Sequence, residues 1–273
     1  MLKKMTATII LVLFLILLIS VIVGLSASMK LEKQNYYLSS FPNLSGLKIM
    51  HLSDLHYPNN GVELSTIVSE AESYSPHLIF LSGDTFDKSA TRQDVVKLQP
   101  FFNKLNLIAL TFGVIGNHEI GSEILDDFIA LSQASGGIKL LNNEIVYYTY
   151  NSEQIAIIGL KDAFKYNIKN IPALNSVNDN ATKILIAHRP EKFPDYVTEN
   201  NRPQLIFAGH AHGGQIRLFG KGLYAPNQGL FPRYTEGEYK KNGCSMFVSR
   251  GLGDSASNLR WFNSYHIITV EFT

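Results

Sequence analysis

Five short apolar runs in this chain each end on a side chain able to bind a metal ion, and that recurrence constrains the fold more than any other feature. The terminating segments are Asp54-Leu55-His56, Gly83-Asp84-Thr85-Phe86-Asp87, Gly116-Asn117-His118-Glu119, Ala187-His188 and Gly209-His210-Ala211-His212-Gly213-Gly214. Short apolar runs bounded by turn residues read as buried strands. In open α/β sheets, ligand sites gather at the carboxyl ends of such strands. All five segments can therefore converge on one edge. Five of the eight histidines fall within them, which histidines scattered through a core would not do.

The pattern between the segments supports this reading. Leu47 to Leu52, Leu78 to Leu81 and Ile108 to Ile115 read as strands. Helical spacing separates them, through Leu64, Ile67, Val68 and Ala71, then Val95 to Phe102, then Ile124, Leu125, Phe128, Ile129 and Leu131. Strands alternating with helices imply crossover connections and a largely parallel sheet. The second half is richer in strand: 145–150, 155–160, 184–187, 205–208, 246–249 and 267–272. Helix is expected there only at Glu191 to Glu199 and at Ile168 to Leu174. Two sheets packed face to face with helices outside accommodate this order.

The N-terminus sets a second constraint. Met5 to Met29 contains no charged residue, and its 25 residues would extend roughly 37 Å as a helix, enough to cross a bilayer core. A cleaved signal peptide is the rival, because Lys3 and Lys4 form a basic leader, but Leu25-Ser26-Ala27 is a poor cleavage site. A buried soluble helix is rarely apolar on every face. The expected division is an anchor at 1–30, a short polar tether at 31–42 and one catalytic domain at 43–273. The chain would then be a single-pass membrane protein contacting the bilayer through residues 5–29. Lys3 and Lys4 before the span and Lys30, Lys33 and Lys48 after it do not decide the face by the positive-inside rule. The expectation leans to the extracytoplasmic side. A net charge of +1 and the lack of a long Lys/Arg run give no nucleic-acid surface. Cys244, the single cysteine, excludes an internal disulfide and a Cys-rich zinc site, and reads as a small buried hydrophobe.

Each segment alone has an ordinary explanation. Asp-x-His is often a capping carboxylate beside a surface histidine, Gly-Asp after a strand is often a turn, and Asn117 could cap a helix. His188 before Arg189-Pro190 could be a loop histidine. Gly-His-x-His-Gly is the strongest, since alternate residues of an extended segment point the same way and the glycines admit close backbone approach. Together, in order and each at a strand end, they outweigh the ordinary explanations.

The chain resembles the calcineurin-like metallophosphoesterases across nearly its whole post-anchor length, with all five motifs in order. It is most similar to the YkuE/YaeI-like subgroup, through Gly209-His-Ala-His-Gly-Gly-Gln-Ile-Arg217, Tyr224-Ala-Pro-Asn-Gln-Gly229 and Arg233-Tyr234. Related sequences show Pro-Glu where this chain has Tyr265-His266, a departure that removes no ligand. The resemblance implies an α/β fold, a four-layer αββα sandwich of two mixed β-sheets flanked by helices, here preceded by the N-terminal transmembrane helix. It also implies two divalent metal ions at one sheet edge. Asp54, His56, Asp84 and His212 would hold the first ion, and Asp84, Asn117, His188 and His210 the second, with Asp84 bridging. Carboxylate, amide and imidazole ligands suit Mn, Fe or Zn better than Mg. Two such ions can acidify a bridging water and clamp both oxygens of an in-line displacement at phosphorus. His118 matches the non-ligand histidine that faces the phosphoryl group and protonates the leaving oxygen. Asp87 matches the acid that orients it and raises its basicity. Glu119 is expected to support the site by hydrogen bonds.

Other residues receive plainer roles. His51, His77 and His266 read as structural. Arg189 and Arg250 are candidates for a substrate phosphate, with ion pairing the stronger expectation. Phe219, Tyr224, Phe231 and Tyr234 either rim the site for a lipid or pack the loop. The expected activity is hydrolysis of a phosphodiester or pyrophosphate, with a lipid-linked or envelope-precursor substrate suggested by the anchor, and cleavage of the UDP-diacylglucosamine-pyrophosphate type by the subgroup. Hydrolysis of cyclic nucleotides or other small diesters is the second enzymatic reading. A catalytically silent, metal-stabilised binding module is a reading of a different class, and the presence of His118 argues against it.

Overall fold

A computed structural model of the chain describes residues 2–134, 136–162, 177, 180–197, 202–254 and 259–273. Two six-stranded sheets lie face to face in it. The first contains β1 (Leu31–Leu38), β2 (Lys48–Leu52), β3 (Leu78–Leu81), β4 (Leu110–Gly113), β5 (Lys139–Leu140) and β16 (Tyr265–Phe272), in the order β1-β16-β2-β3-β4-β5. The run β2-β3-β4-β5 is parallel, whereas β16 pairs antiparallel with β2. The second sheet comprises β6 (Glu144–Tyr150), β7 (Glu153–Gly159), β8 (Thr182–Ile186), β9 (Leu205–Ala208), β14 (Gly237–Lys241) and β15 (Cys244–Val248). Its order is β14-β15-β9-β8-β7-β6, parallel at the centre with antiparallel edges. Both sheets are mixed, as expected.

The layers follow from side-chain alternation along the strands. One face of each sheet meets the other through Ile49, Phe80, Phe112, Ile157, Ile184, Phe207, Phe247 and Ile268. The opposite face of the first sheet, with Met50, Ile79 and Leu81, packs against Ile67 and Ala71 of α2 (Leu64–Tyr74) and Phe102 and Leu105 of α4 (Gln99–Ile108). Phe128 of α6 (Leu125–Gln133) completes that layer. Against the outer face of the second sheet pack Phe193 and Tyr196 of the single helical turn Phe193–Tyr196.

Several boundaries differ from the sequence reading, each for a local reason. Val95 to Phe102 is split between α3 (Arg92–Lys97) and α4, because Pro100 lacks an N–H and starts a new helix in its first turn. Thr91 caps α3 through a box with Asp94. The strand expected over Ile108 to Ile115 is β4 alone, since Ile108 closes α4. Of the helix expected over Glu191 to Glu199, the described residues through Val197 form a 3₁₀ turn at Pro190–Lys192 and the turn Phe193–Tyr196, and residues 198 and 199 lie outside the described residues. Residues 168–174 lie outside the described residues.

The largest correction concerns residues 31–42. Instead of a tether, Leu31–Leu38 forms β1, parallel to β16 over eight register pairs. Its Tyr36 ring lies 4.8 Å from that of Phe247. Glu32 pairs with Arg250 at 2.7 Å. Before it, α1 (Leu2–Ser28) is the apolar N-terminal helix, long enough to cross a membrane. α1 runs into β1 through only Met29 and Lys30, so the apolar helix is fixed directly to the body.

Candidate metal centre

The ends of β2, β3, β4, β8 and β9 meet at one edge of the sandwich. Asp54 and His56 follow β2, Asp84 follows β3, and Asn117 opens the single-turn helix α5 (Asn117–Ile120) after β4. His188 follows β8, and His210 and His212 follow β9. Both sheets thus supply donors. Asp54, His56, Asp84, His210 and His212 all have left-handed backbones, with φ between 46° and 65°. Such a conformation costs about 1–2 kcal/mol for a residue with a Cβ and persists only where surrounding structure enforces it. Here the turns lock one another: the amides of Asp54 and His56 donate to the carbonyls of Gly83 and Asp84, both at 3.0 Å. The His210 amide crosses between the sheets to both Asp54 oxygens at 3.0 Å. A Cβ on Gly209 would stand 2.2 Å from Asp54 Oδ2, and one on Gly116 would stand 2.3 Å from Asp84 Oδ1. Those two positions need glycine for proximity.

Two donor clusters result, and Asp84 stands between them. In the first, His56 Nε2 and His212 Nε2 are 3.1 Å apart, and His212 Nε2 is 3.5 Å from Asp54 Oδ1. Two imidazoles on one tetrahedral ion at about 2.05 Å would place their nitrogens ~3.4 Å apart, so this spacing fits a shared cation. In the second, His188 Nε2 lies 3.2 Å from Asp84 Oδ2 and 3.2 Å from Asn117 Oδ1, with His210 alongside. Asp84 Oδ2 also lies 3.8 Å from His56 Nε2, which is the position a bridging carboxylate requires. Asp54-His56-His212 and Asp84-His188-His210 each bring their donor atoms close enough to hold a metal ion. His56-Asp84-His118 does so as well, which makes His118 a candidate ligand by proximity.

Buried carboxylates and imidazoles set one another's charge at the site. The Asp84 carboxyl is buried, which alone would raise its pKa, yet His188 and His56 hold it well below the usual range. Burial opposes a charge on His188, but Asp84 outweighs that and pushes its pKa up to about 10. Burial, reinforced by neighbouring cations, holds His210 and His212 well below the usual imidazole range, so both present lone pairs. His188 Nδ1 faces the Ser82 carbonyl at 2.8 Å, which directs Nε2 toward Asp84.

The structure brings His118 and Asp87 together, with Nδ1 to Oδ2 at 3.2 Å. Asp87 also approaches His56 Nδ1 at 3.6 Å, so it serves two histidines. The raised basicity expected of His118 meets a larger opposing effect: burial lowers its pKa, although Asp84 and Asp87 act to raise it. Glu119 is fully buried and accepts the amides of Asp84 at 3.0 Å, Gly116 at 2.9 Å and Thr85. It ties the β3 turn to the β4 turn. Burial and Asp84 push its pKa up to about 7.

Several residues near the site carried no motif. His51 Nε2 meets Ser82 Oγ at 2.8 Å, Ser82 donates to Ser53 Oγ at 2.7 Å, and Ser53 donates to Asp54 Oδ2 at 2.5 Å. Because both serines donate toward Asp54, His51 must donate from Nε2, and the relay has one polarity. Arg189 forms a buried double ion pair with Asp162 and places Nη1 3.1 Å from His210 Nε2. Asn227 Nδ2 stands 2.9 Å from the same nitrogen. Arg260 Nη2 lies 3.4 Å from His212 Nδ1, and Asn263 Nδ2 donates to the His212 carbonyl at 2.7 Å. Of these, the sequence singled out Asn227 within 224–229, Arg189 as a candidate for a substrate phosphate and His51 as structural. Arg250 is committed to Glu236 and Glu32. His77 Nδ1 accepts the Lys48 amide at 3.1 Å, a structural role. Cys244 is buried, with its thiol pushed up to about 12 by desolvation. Tyr234 packs inward against Phe193 and Tyr239, whereas Phe219, Tyr224 and Phe231 are exposed.

Comparison with known proteins agrees with this geometry. Residues 47–214 match the family model described as calcineurin-like phosphoesterase. The chain is 30% identical over 222 residues to the uncharacterized metallophosphoesterase YkuE of Bacillus subtilis, covering 79% of this chain and 75% of that protein. It is 30% identical over 220 residues to the phosphodiesterase YaeI of Escherichia coli, covering 77% of each. Among solved structures, the NAD nucleotidase NadN of Haemophilus influenzae superposes with a TM-score of 0.52 at 18% identity, over 76% of this chain and 45% of that one, a likeness of fold.

Proposed function

The chain belongs to the calcineurin-like phosphoesterase family and is a hydrolase acting on phosphoesters, and from that premise we propose a dinuclear-metal enzyme that cleaves a phosphodiester or pyrophosphate in a membrane lipid or envelope precursor. Asp84 between two buried donor clusters carries the dinuclear reading. Asp54, His56, Asp84 and His212 would hold one cation and Asp84, Asn117, His188 and His210 the other, a donor set suited to Mn, Fe or Zn. The two cations would polarise the attacking water and neutralise charge on the entering and leaving oxygens.

The remaining steps belong to side chains. His118 Nδ1 accepts the Lys88 amide at 3.3 Å with Asp87 Oδ2 3.2 Å away, so the proton sits on Nε2, which lies 3.9 Å from Asp84 Oδ2 and gives that proton to the leaving oxygen. The His51-Ser82-Ser53 relay and the His210 amide fix both oxygens of Asp54. Glu119 holds the Asp84 turn, and Asn263 holds that of His212.

The lipid substrate class rests on α1. Gly24 and Ser28 are buried against residues 261–264, an arrangement that supports a retained anchor over a cleaved leader. The test uses the full chain in detergent, with bound metal measured and a panel of bis-p-nitrophenyl phosphate, cyclic nucleotides and lipid diphosphates. Metal-dependent turnover greatest on a lipid diphosphate or lipid diester is expected. Two bound metals without turnover of any diester or diphosphate would sink the reading.

A further inference from the structure

We propose that the catalytic body makes a second contact with the bilayer, through the hairpin β10–β11 (Arg217–Leu218 and Lys221–Gly222), the hairpin β12–β13 (Tyr224–Ala225 and Gly229–Leu230) and residues 259–262, so that the rim of the metal centre lies at headgroup depth. The partner is the interfacial zone of an anionic lipid bilayer. The proposal rests on the anchor reading of α1 and deepens the phosphohydrolase reading of the site.

The argument starts from how α1 is held. Trp261 Nε1 donates to the Ser20 carbonyl at 3.2 Å, the Phe262 amide to the Gly24 carbonyl at 3.0 Å, and the Ser264 hydroxyl to the Ala27 carbonyl at 3.2 Å. The Asn263 amide meets Ser28 Oγ at 3.1 Å. Small residues at helical spacing let the segment lie against the helix, and a Cβ on Gly24 would stand 2.0 Å from the indole nitrogen. Ser20 lies eight residues before Ser28, about 12 Å along the axis.

That distance forces the aromatic residues into the membrane. A bilayer core takes up about 20 helical residues, and the uncharged run from Met5 to Met29 has 25. Wherever the core sits within that run, Ser20 is inside it and Gly24 is inside it or at its boundary. With the core over residues 5–24, Gly24 lies at its boundary and Ser20 about 6 Å inside, so Trp261 and Phe262, which bond to those residues, sit at the boundary zone that aromatic rings favour.

The hairpins hang from the same segment. The Arg217 amide donates to the Trp261 carbonyl at 2.9 Å, Ile216 bridges Trp261, and the Phe231 amide donates to the Leu223 carbonyl at 2.8 Å. Their apolar side chains face solvent: Phe219 is fully exposed, Phe231 77% exposed and Leu230 68% exposed. Adjoining apolar exposure of this kind marks an interaction surface. Residues 216–235 contain Arg217, Lys221 and Arg233 and no acidic residue, and Lys221 and Arg233 are exposed, which suits anionic headgroups. The surface is joined to the chemistry through Asn263 on the His212 carbonyl and Asn227 beside His210.

The test uses the full chain carrying Cys244→Ala, reconstituted in phosphatidylcholine/phosphatidylglycerol vesicles. A spin label is placed at Phe219→Cys, at Phe231→Cys, or at Asn151→Cys in the β6–β7 turn as a water reference. Collision with oxygen should exceed collision with a nickel chelate at 219 and 231 and fall below it at 151. Labels at 219 and 231 that match the water reference overturn the proposal. Independently, Phe219→Ser/Phe231→Ser should raise the KM for a vesicle-embedded lipid diester at least about tenfold, since each lost aromatic anchor is worth about that factor or more. It should leave kcat/KM on soluble bis-p-nitrophenyl phosphate within twofold, and equal losses on both substrates would overturn the proposal. Membrane-depth signals at 219 and 231 without hydrolysis of either substrate would uphold the contact and reject the phosphohydrolase reading.

Discussion

His118 touches two possible roles at once, since it sits within metal-binding reach of His56 and Asp84 and also pairs with Asp87. Substitution separates them. His118→Asn should retain two metals and the fold, while turnover falls by roughly 10²–10⁴-fold, the scale of a general acid. The loss should be smaller for a p-nitrophenyl ester, whose leaving group needs little proton assistance, and larger for an alkyl diester. Loss of a metal, or equal impairment on both, would make His118 a ligand. Asp84 poses the complementary case. Elemental analysis should find Asp84→Ala depleted of both metals, because no carboxylate then separates the cations, whereas His210→Ala empties mainly the second cluster. Two metals retained in Asp84→Ala would exclude its bridging role. The donors themselves were legible in the sequence because each ends an apolar strand. His51, Ser53 and Ser82 were not, since they lie within or just past strands, and only the pairing of β2 with β3 brings them into line.

The strands and helices that follow hydrophobic periodicity were legible for the same reason that they fold: their apolar faces are buried on both sides. β1 was not, because it is an edge strand with Glu32, Lys33, Asn35 and Tyr37 exposed, and polar edges are how sheets avoid pairing with other chains. Its eight-residue ladder to β16 makes a definite prediction about truncation. Deleting residues 1–30 should leave a folded body. Deleting 1–42 should also remove the Tyr36–Phe247 ring contact and leave Arg250 without Glu32. Burying one such aromatic contributes about 1.5–3 kcal/mol, and about 1 kcal/mol shifts the midpoint of a domain this size by 2–4 °C. The longer deletion should therefore melt at least about 3 °C below the shorter one in thermal scans. Equal midpoints would mean that the segment acts as a tether after all.

At the scale of the molecule, the metal donors of the two sheets meet at one edge, and buried neutral histidines lie deeper in the sandwich. His51 stands between the sheets with its ring edge-on to Phe207, and its second nitrogen has no hydrogen-bond partner. Burial pushes its pKa down to about 3. An unfolded chain takes up that proton near pH 6.5, so below this value the unfolded state binds more protons than the folded one. Stability from the neutral ring is complete above about pH 6.5 and is lost as the pH falls toward 3, with a limiting slope of about 1.4 kcal/mol per pH unit. His266, also buried and held well below the usual range, adds to the same trend. Metal release shares this sign, because imidazole ligands must be deprotonated to bind. The two are separable. Each bound metal at a hundredfold excess over its Kd adds about 2.7 kcal/mol, so chelation at pH 7.5 should lower the midpoint by several degrees. Hydrogen exchange should rise in the turns after β2, β3, β8 and β9 and remain unchanged in β1. In the chelated protein, acid sensitivity between pH 6.5 and 4 should persist. His51→Gln, which keeps a donor for Ser82 without a titrating ring, should flatten it. An unaltered slope in that variant would place the acid sensitivity elsewhere than between the sheets.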